Sequence, residues 1–344
     1  MLQEQLKPHK DYTLQWHVLN RCEMNCQHCY IRDRQQEMSL AQFKKGISNY
    51  KNFLGHFNLR GRIYFTGGDF LLHKSFKAMI KMTIDKGIVF AIMGNYHRLT
   101  LKNIFYLKKS GIKFYQLSID GLKINHELTR GIGTFNKVIE AINLLEDNGI
   151  TTVVNMTVTK NNISDVVPLI NLLAKTKLSR FDITRVVPIG SALYQKIKVI
   201  KPLEYKKLLL SILRAEAIIR KINTKLEIGK KDHLWKLLYY EKNRLSLDLS
   251  NICYGCGMVI RHMTVLPNGE ILPCRKLELP IGNILHNSLR DVFEKNMFAN
   301  DICKNTLIKG CMGCQLKNVC RGCPSVTYGY YNDFNHQDPQ CWKK

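Results

Sequence analysis

From residue 12 to about residue 190, short apolar runs alternate with longer amphipathic stretches. The runs Tyr12–Leu19, Arg62–Thr66, Ile88–Met93, Phe114–Ile119, Thr151–Thr159 and Arg180–Val187 predict six strands. The stretches Ser39–Phe53, Lys74–Lys86, Thr100–Ser110, Thr134–Asn148 and Ile163–Lys175 predict the helices between them. Gly87, Gly111 and Gly149 each stand just past a predicted helix, where the chain needs a left-handed cap. Strands alternating with helices imply parallel strands joined by right-handed crossovers, an α/β fold.

The pattern changes after residue 190. Residues 191–250 are rich in Lys, Leu and Ile, and Pro202–Ile222 and Asp232–Arg244 predict amphipathic helices that bridge to a C-terminal module. There Val259–Leu266 and Glu270–Pro273 flank Pro267-Asn268-Gly269, which predicts a hairpin ending at Cys274. The division expected is therefore 1–190, 191–250 and 251–344. No internal repeat or low-complexity segment interrupts it.

The chain has 344 residues, 45% hydrophobic and 23% charged, enough for a large core with an appended module. No run of about 18 uninterrupted apolar residues predicts a membrane span. The first residues carry no apolar signal region, so a cytoplasmic protein is expected. A formal charge of +25 could attract an acidic peptide or nucleic acid. The lysines are spread out and no basic patch is interleaved with aromatics, so no dedicated nucleic-acid site is expected. Of twelve cysteines, three lie at 22–29 and nine from 253 onward, with none between. Without a secretion signal, that clustering predicts two metal-binding regions instead of disulfides.

The first region reads Cys22-Glu-Met-Asn-Cys26-Gln-His-Cys29-Tyr30, directly after the first predicted strand. Four thiolates would close a zinc site or complete an iron–sulfur cluster. Three leave one iron of a 4Fe–4S cluster open to a chelating molecule; the competing reading is zinc with a distant fourth ligand. The run resembles the signature of the radical SAM superfamily, where the open iron binds the amino and carboxylate groups of S-adenosylmethionine (SAM). Electron transfer then splits SAM to a 5′-deoxyadenosyl radical. The resemblance implies a partial (β/α)6 barrel with its ligands at the carboxyl ends of the strands. It also implies SAM contacts from Tyr30, from Gly67, Gly68 and Asp69 after strand two, and from Ser118 and Asp120 after strand four. Asn155 on strand five, Arg130 at the start of the preceding helix, and Ile189 after strand six complete the set. Gly67-Gly68-Asp69-Phe70 departs from the family's usual Gly-Gly-Glu-Pro. Asn95 matches the family's Thr-Asn-Gly only loosely.

The second region contains Cys253, Cys256 and Cys274, then Cys311-x2-Cys314-x5-Cys320-x2-Cys323, and finally Cys341. Taken alone, C-x2-C pairs suit zinc ribbons equally well. The full order resembles the SPASM domain, which binds two auxiliary 4Fe–4S clusters. That resemblance implies one cluster on Cys253, Cys256, Cys274 and Cys323 and a second on Cys311, Cys314, Cys320 and Cys341. Cys303 is left as a free buried thiol. The cofactors implied are three 4Fe–4S clusters and SAM.

Within the superfamily, Leu14-Gln-Trp-His-Val, Tyr115-Gln-Leu-Ser-Ile-Asp-Gly and Asp338-Pro-Gln-Cys-Trp resemble maturases of ribosomally made peptides. This implies an oxidoreductase that abstracts hydrogen from a precursor peptide and forms a thioether or carbon–carbon crosslink or carries out a related oxidation. An electron donor such as flavodoxin or ferredoxin would be its partner, and no membrane is involved. Tetrapyrrole or quinone-cofactor chemistry is one alternative and sulfatase maturation another. Sulfatase relatives carry an Asp after the hairpin-end cysteine, where this chain has Arg275. A non-enzymatic zinc-ribbon scaffold is the reading from another class.

Overall fold

The computed structural model describes residues 10–221, 225–242, 256–304 and 306–343. The expected ligand Cys253 and the Cys303 side chain lie outside the described residues. In chain order the first half runs β1 (Asp11–Leu19), α1 (Leu40–His56), β2 (Arg60–Gly67), α2 (Phe76–Asp85), β3 (Val89–Met93), α3 (Leu101–Lys109), β4 (Tyr115–Ser118), α4 (Lys123–Arg130), α5 (Thr134–Asp147) and β5 (Thr152–Val158). The second half runs α6 (Val166–Leu173), β6 (Arg180–Arg185), α7 (Ser191–Tyr194), α8 (Pro202–Lys221), β7 (Glu227–Gly229), α9 (Leu234–Glu241), β8 (His262–Val265), β9 (Glu270–Leu272), β10 (Gly282–Asn283), α10 (Leu289–Glu294), α11 (Met297–Lys304) and α12 (Pro324–Tyr331). The alternation expected from the hydrophobic pattern is present, and Gly87, Gly111 and Gly149 take positive φ of 70°, 73° and 70° just past α2, α3 and α5.

The chain folds as two compact units. One comprises Met1–Glu23, Ile31–Gln116 and Gly257–Lys304, the other Met24–Tyr30, Leu117–Cys256 and Asn305–Lys344. In the first, β1, β2, β3 and the start of β4 pair in parallel. The predicted hairpin forms from β8 and β9, and β8 lies parallel to β1 with Trp16 opposite Val265. The carboxyl end of β1 and the hairpin that ends at Cys274 are thereby held in register. Helix α1 starts where its capping signal stands: Ser39 and Gln42 cap each other reciprocally. Tyr12, Phe53 and Phe293 pack edge to face, at 4.8 and 5.6 Å between centroids, which ties β1 to α1 and α10. Each such pair contributes about 0.5–1.5 kcal/mol beyond its burial.

In the second unit β5, β6 and β7 are parallel, and β5 is buried along nearly its whole length, as a strand covered on both faces should be. Among the described residues five helices were not expected from the sequence pattern: α4, α7, α10, α11 and α12. Helix α4 turns its only buried side chain, His126, inward and leaves Ile124 and Leu128 exposed, so its apolar positions do not mark a core face. Arg130 therefore ends a helix of its own and does not open the following one. Helix α12 begins at Pro324, immediately after Cys323, with proline in the position it favours.

Candidate active site

The first unit supplies Cys22 and the turns that frame it. Gly68 N donates to Leu19 O at 2.9 Å and Asp69 N to Arg21 O at 2.9 Å, so the loop after β2 is bonded to the loop that carries Cys22. A Cβ on Gly68 would collide with the Arg21 carbonyl. The close backbone approach permitted by these glycines is thus made by the cysteine loop itself. Asn95, in the turn after β3, donates to Cys22 Sγ at 3.6 Å, and its own carbonyl accepts from Tyr115 Oη at 2.8 Å. Glu23 is held by Arg98 at 2.8 Å.

Asp69 is fully buried. Its Oδ1 accepts from Leu71 N at 3.2 Å, while among the described residues Oδ2 makes no geometric hydrogen bond, although the Asn95 side chain is near enough to favour the charged form. Burial pushes its carboxyl up to about 7, with Glu23 adding to the shift. A buried carboxylate oxygen left open is the feature an ammonium group would complete, and in this respect the turn fits the amino group of SAM.

The same unit carries Arg275 after the hairpin. Its guanidinium donates to Met93 Sδ at 3.3 Å and lies close enough to His17 on β1 to affect its titration. Burial, then this cation, lowers His17 to about 3, so its imidazole stays neutral at ordinary pH. Among the described residues no carboxylate pairs with Arg275. The nearby Glu278 is bound to Arg32 at 3.0 Å.

The second unit supplies Cys26, Cys29 and Tyr30. Cys29 N donates to Cys26 O at 3.2 Å, forming the tight turn between them. Asp120 underlies this loop and is fully buried. Its Oδ2 accepts from Arg130 Nε at 2.5 Å and pairs with His28 Nε2 at 2.8 Å, and its Oδ1 accepts from Thr157 N at 2.8 Å. Burial opposes its charge, but Arg130 and His28 outweigh burial and hold the carboxyl well below its usual range. Arg130 Nη1 reaches Cys26 Sγ at 3.4 Å. His28 was not singled out in the sequence, nor was its pairing with Asp120; the only signal was a histidine set between two cysteines of the run. Tyr30 packs on Val187, Ile189, Val326 and Cys323. Ser118 is half-buried at the end of β4, and Asn155 on β5 donates to Thr184 Oγ1 at 3.3 Å.

Cys311, Cys314, Cys320 and Cys341 line one cavity of about 370 Å³, with Asp338 and Arg321 also at its wall. Burial raises Cys311 to about 11 and Cys320 to about 12. Among the described residues no three His, Cys, Asp or Glu side chains converge tightly enough for a single metal ion. The four thiols surround a space, and that arrangement fits a cluster whose irons would replace the thiol protons. Cys323 is raised to about 12 by burial, and Cys256 is near enough to add to the shift. Cys274 lies in the first unit, at a bridge to Leu277.

A model of the Radical SAM superfamily matches residues 16–173, and one of the SPASM iron–sulfur cluster-binding domain matches residues 256–324. The AdoMet-dependent heme synthase of Nitratidesulfovibrio vulgaris is 24% identical over 341 residues, covering 95% of this chain and 90% of that protein. The sporulation killing factor maturation protein SkfB of Bacillus subtilis is 23% identical over 281 residues, covering 81% of this chain and 63% of that protein. Among solved structures, Streptococcus suis SuiB bound to S-adenosylmethionine has a TM-score of 0.76 at 18% identity, over 99% of this chain and 80% of that one. That last likeness is one of fold. Among the described residues no helix is long and apolar enough to cross a membrane.

Proposed function

Since the chain is a radical SAM/SPASM enzyme, we propose that it oxidises a carboxylate-bearing substrate, with carboxylated tetrapyrroles as the first substrate class. The observation that carries this reading is Arg275. A guanidinium presents five donors in a fork that matches a carboxylate. One of them meets a thioether, a weak acceptor, and among the described residues no acid neutralises the charge. A half-buried cation without a counterion is a costly feature unless an anion completes it. The likeness to a heme synthase over 95% of the chain supports a tetrapyrrole as that anion.

A bound cluster and SAM would supply a radical able to abstract hydrogen from the substrate. This chain's own residues hold and orient. Cys22, Cys26 and Cys29 would ligate the cluster, and Asn95 and Arg130 donate to the sulfurs of Cys22 and Cys26. Asp69 would receive the SAM ammonium. Gly67 and Gly68 set the cysteine loop against β2; Ser118, Asn155, Tyr30 and Ile189 border the cofactor. Asp120 acts through His28 and Arg130, because both of its oxygens are already engaged. Cys311, Cys314, Cys320 and Cys341, which line one cavity, would hold one auxiliary cluster, and the ligands that the cysteine pattern implies for the other are Cys253, Cys256, Cys274 and Cys323.

A second reading, maturation of a ribosomal precursor peptide, is favoured by the likeness to SkfB. The experiment that separates the two incubates the reconstituted protein with SAM and reductant, once with iron-coproporphyrin III and once with the peptide encoded beside the gene. A changed porphyrin mass with matching 5′-deoxyadenosine supports the first reading. An unchanged porphyrin and a peptide lighter by two hydrogens replaces it with the second.

A further inference from the structure

Three cations line the cavity of Cys311, Cys314, Cys320 and Cys341: Lys317, Arg321 and Lys343. The only acid in that lining is Asp338, and both of its oxygens are bonded to Arg185. Arg185 is shared with Asp232 at 2.6 Å, so this trio keeps one net negative charge against the three positive charges of the wall. Lys317 is exposed and Lys343 half-buried, whereas Arg321 is 9% exposed. Water screens the first two, so Arg321 acts on the cavity most strongly. The backbone is bent to put it there. Arg321 and Gly322 both take positive φ, 62° and 63°. Glycine adopts that conformation freely, but arginine does so only under strain. A Cβ on Gly322 would meet Asp338 Cβ at 2.6 Å, so the turn is packed against the segment that leads to Cys341. The same turn brings the main chain of Gly322 to the Cys320 sulfur, where its N–H favours negative charge.

We propose that Arg321 is a positioning residue that raises the reduction potential of a 4Fe–4S cluster held by these four cysteines. The proposal rests on the reading of this cavity as a cluster site. Reduction adds one electron and breaks no bond, so the reduced centre carries one more negative charge than the oxidised one. A buried cation in the wall stabilises the reduced form more, and the Gly322 N–H acts in the same direction. The cavity is thereby suited to a centre that receives an electron more readily than it supplies one. The strain at position 321 marks a charge held in place by its surroundings. Glycine there would relieve the strain and leave the wall without its buried cation.

The test is a redox titration followed by electron paramagnetic resonance. It uses the full chain with Cys22, Cys26 and Cys29 replaced by Ala, so that only auxiliary irons give signals. Arg321→Gln should lower one midpoint potential by about 59 mV or more, a tenfold change in a one-electron equilibrium. Arg321→Gly removes the strain together with the charge and should lower it by the same amount. Arg321→Lys keeps the charge and should keep most of the wild-type potential. Gln and Gly variants within about 15 mV of the wild type, less than a twofold change, overturn the proposal. An equal fall in the Lys variant overturns it too, by assigning the effect to hydrogen-bond geometry instead of charge. So does loss of iron from all three variants, which would make Arg321 a residue of cluster assembly. Failure of the cluster reading shows separately and earlier. The parent protein would then hold zinc without sulfide in place of about eight irons, and the proposal falls with that reading.

Discussion

Arg185 and Asp338 form a buried two-pronged ion pair, Nη1 to Oδ1 at 2.6 Å and Nη2 to Oδ2 at 2.8 Å. Arg185 ends β6, and Asp338 opens the segment that leads to Cys341. Burial works against both charges, but Asp232 at 2.6 Å joins Asp338 in holding the guanidinium charged. Asp338 Oδ2 also accepts from Cys323 N at 2.9 Å, and its carbonyl accepts from Cys341 N at 2.9 Å. One arginine thereby fixes a residue whose carboxylate holds Cys323 and whose main-chain carbonyl holds Cys341, one cysteine from each expected auxiliary cluster.

Removing either partner strands the other charge. Arg185→Met or Asp338→Asn should lower stability by about 3–5 kcal/mol, the usual cost of breaking a buried pair. The auxiliary iron should be lost before the iron at the N-terminal cysteines. Urea unfolding and iron content by domain-selective cysteine variants check this; stability within about 1 kcal/mol of wild type would contradict it.

Asp69 predicts a pH dependence. Its folded pKa is raised to about 7 by burial, so below that pH the carboxyl is neutral and above it anionic. Only the anion pairs with the SAM ammonium. SAM affinity should therefore rise as pH increases through about 7. Asp69→Asn should flatten that rise and weaken binding about tenfold or more, as for loss of a charge-assisted hydrogen bond. Because the folded pKa lies above the unfolded one, the same group stabilises the SAM-free protein at low pH and loses that contribution as pH climbs toward 7. Equilibrium dialysis of labelled SAM from pH 6 to 8 reads the first effect.

The cysteine assignment predicts a count. Eleven ligands for three 4Fe–4S clusters correspond to about twelve irons per chain. Replacing Cys22, Cys26 and Cys29 together with Ala should leave about eight and abolish SAM cleavage. Tight binding of two zinc ions without sulfide would instead mark the C-terminal region as a zinc-ribbon scaffold.

Arg275 predicts specificity. Arg275→Gln should raise the KM for a carboxylate substrate by about ten- to a hundredfold, the range for losing a hydrogen bond to a charged group. Arg275→Lys should recover part of it, since the charge remains but the two-pronged fork does not. A steady-state comparison with the substrate's methyl ester checks the charge requirement directly.

The six strands, their alternating helices and the hairpin were legible because buried parallel strands write long apolar runs and their turns need glycine. The cysteine runs were legible because ligand spacing is local. Helix α4 was not, because Ile124 and Leu128 face outward and leave no core stripe. The Asp120–His28–Arg130 group was not, because its three members are separated by 92 and 10 positions and only the fold brings them together. The Arg185–Asp338 pair spans 153 positions and left no local trace at all. Asp69 was readable as a departure from the family's glutamate, but its open buried oxygen required the structure.

The central claim, hydrogen abstraction from a carboxylate-bearing tetrapyrrole by a SAM-derived radical, is tested most directly by following a label. Iron-coproporphyrin III deuterated on its carboxylate side chains is incubated with the reconstituted protein, SAM and reductant, and the 5′-deoxyadenosine is weighed by mass spectrometry. Deuterium is expected in the 5′-deoxyadenosine of the wild type and none in that of Arg275→Asp. Unlabelled 5′-deoxyadenosine from the wild type, formed at the same rate with and without the porphyrin, would contradict it.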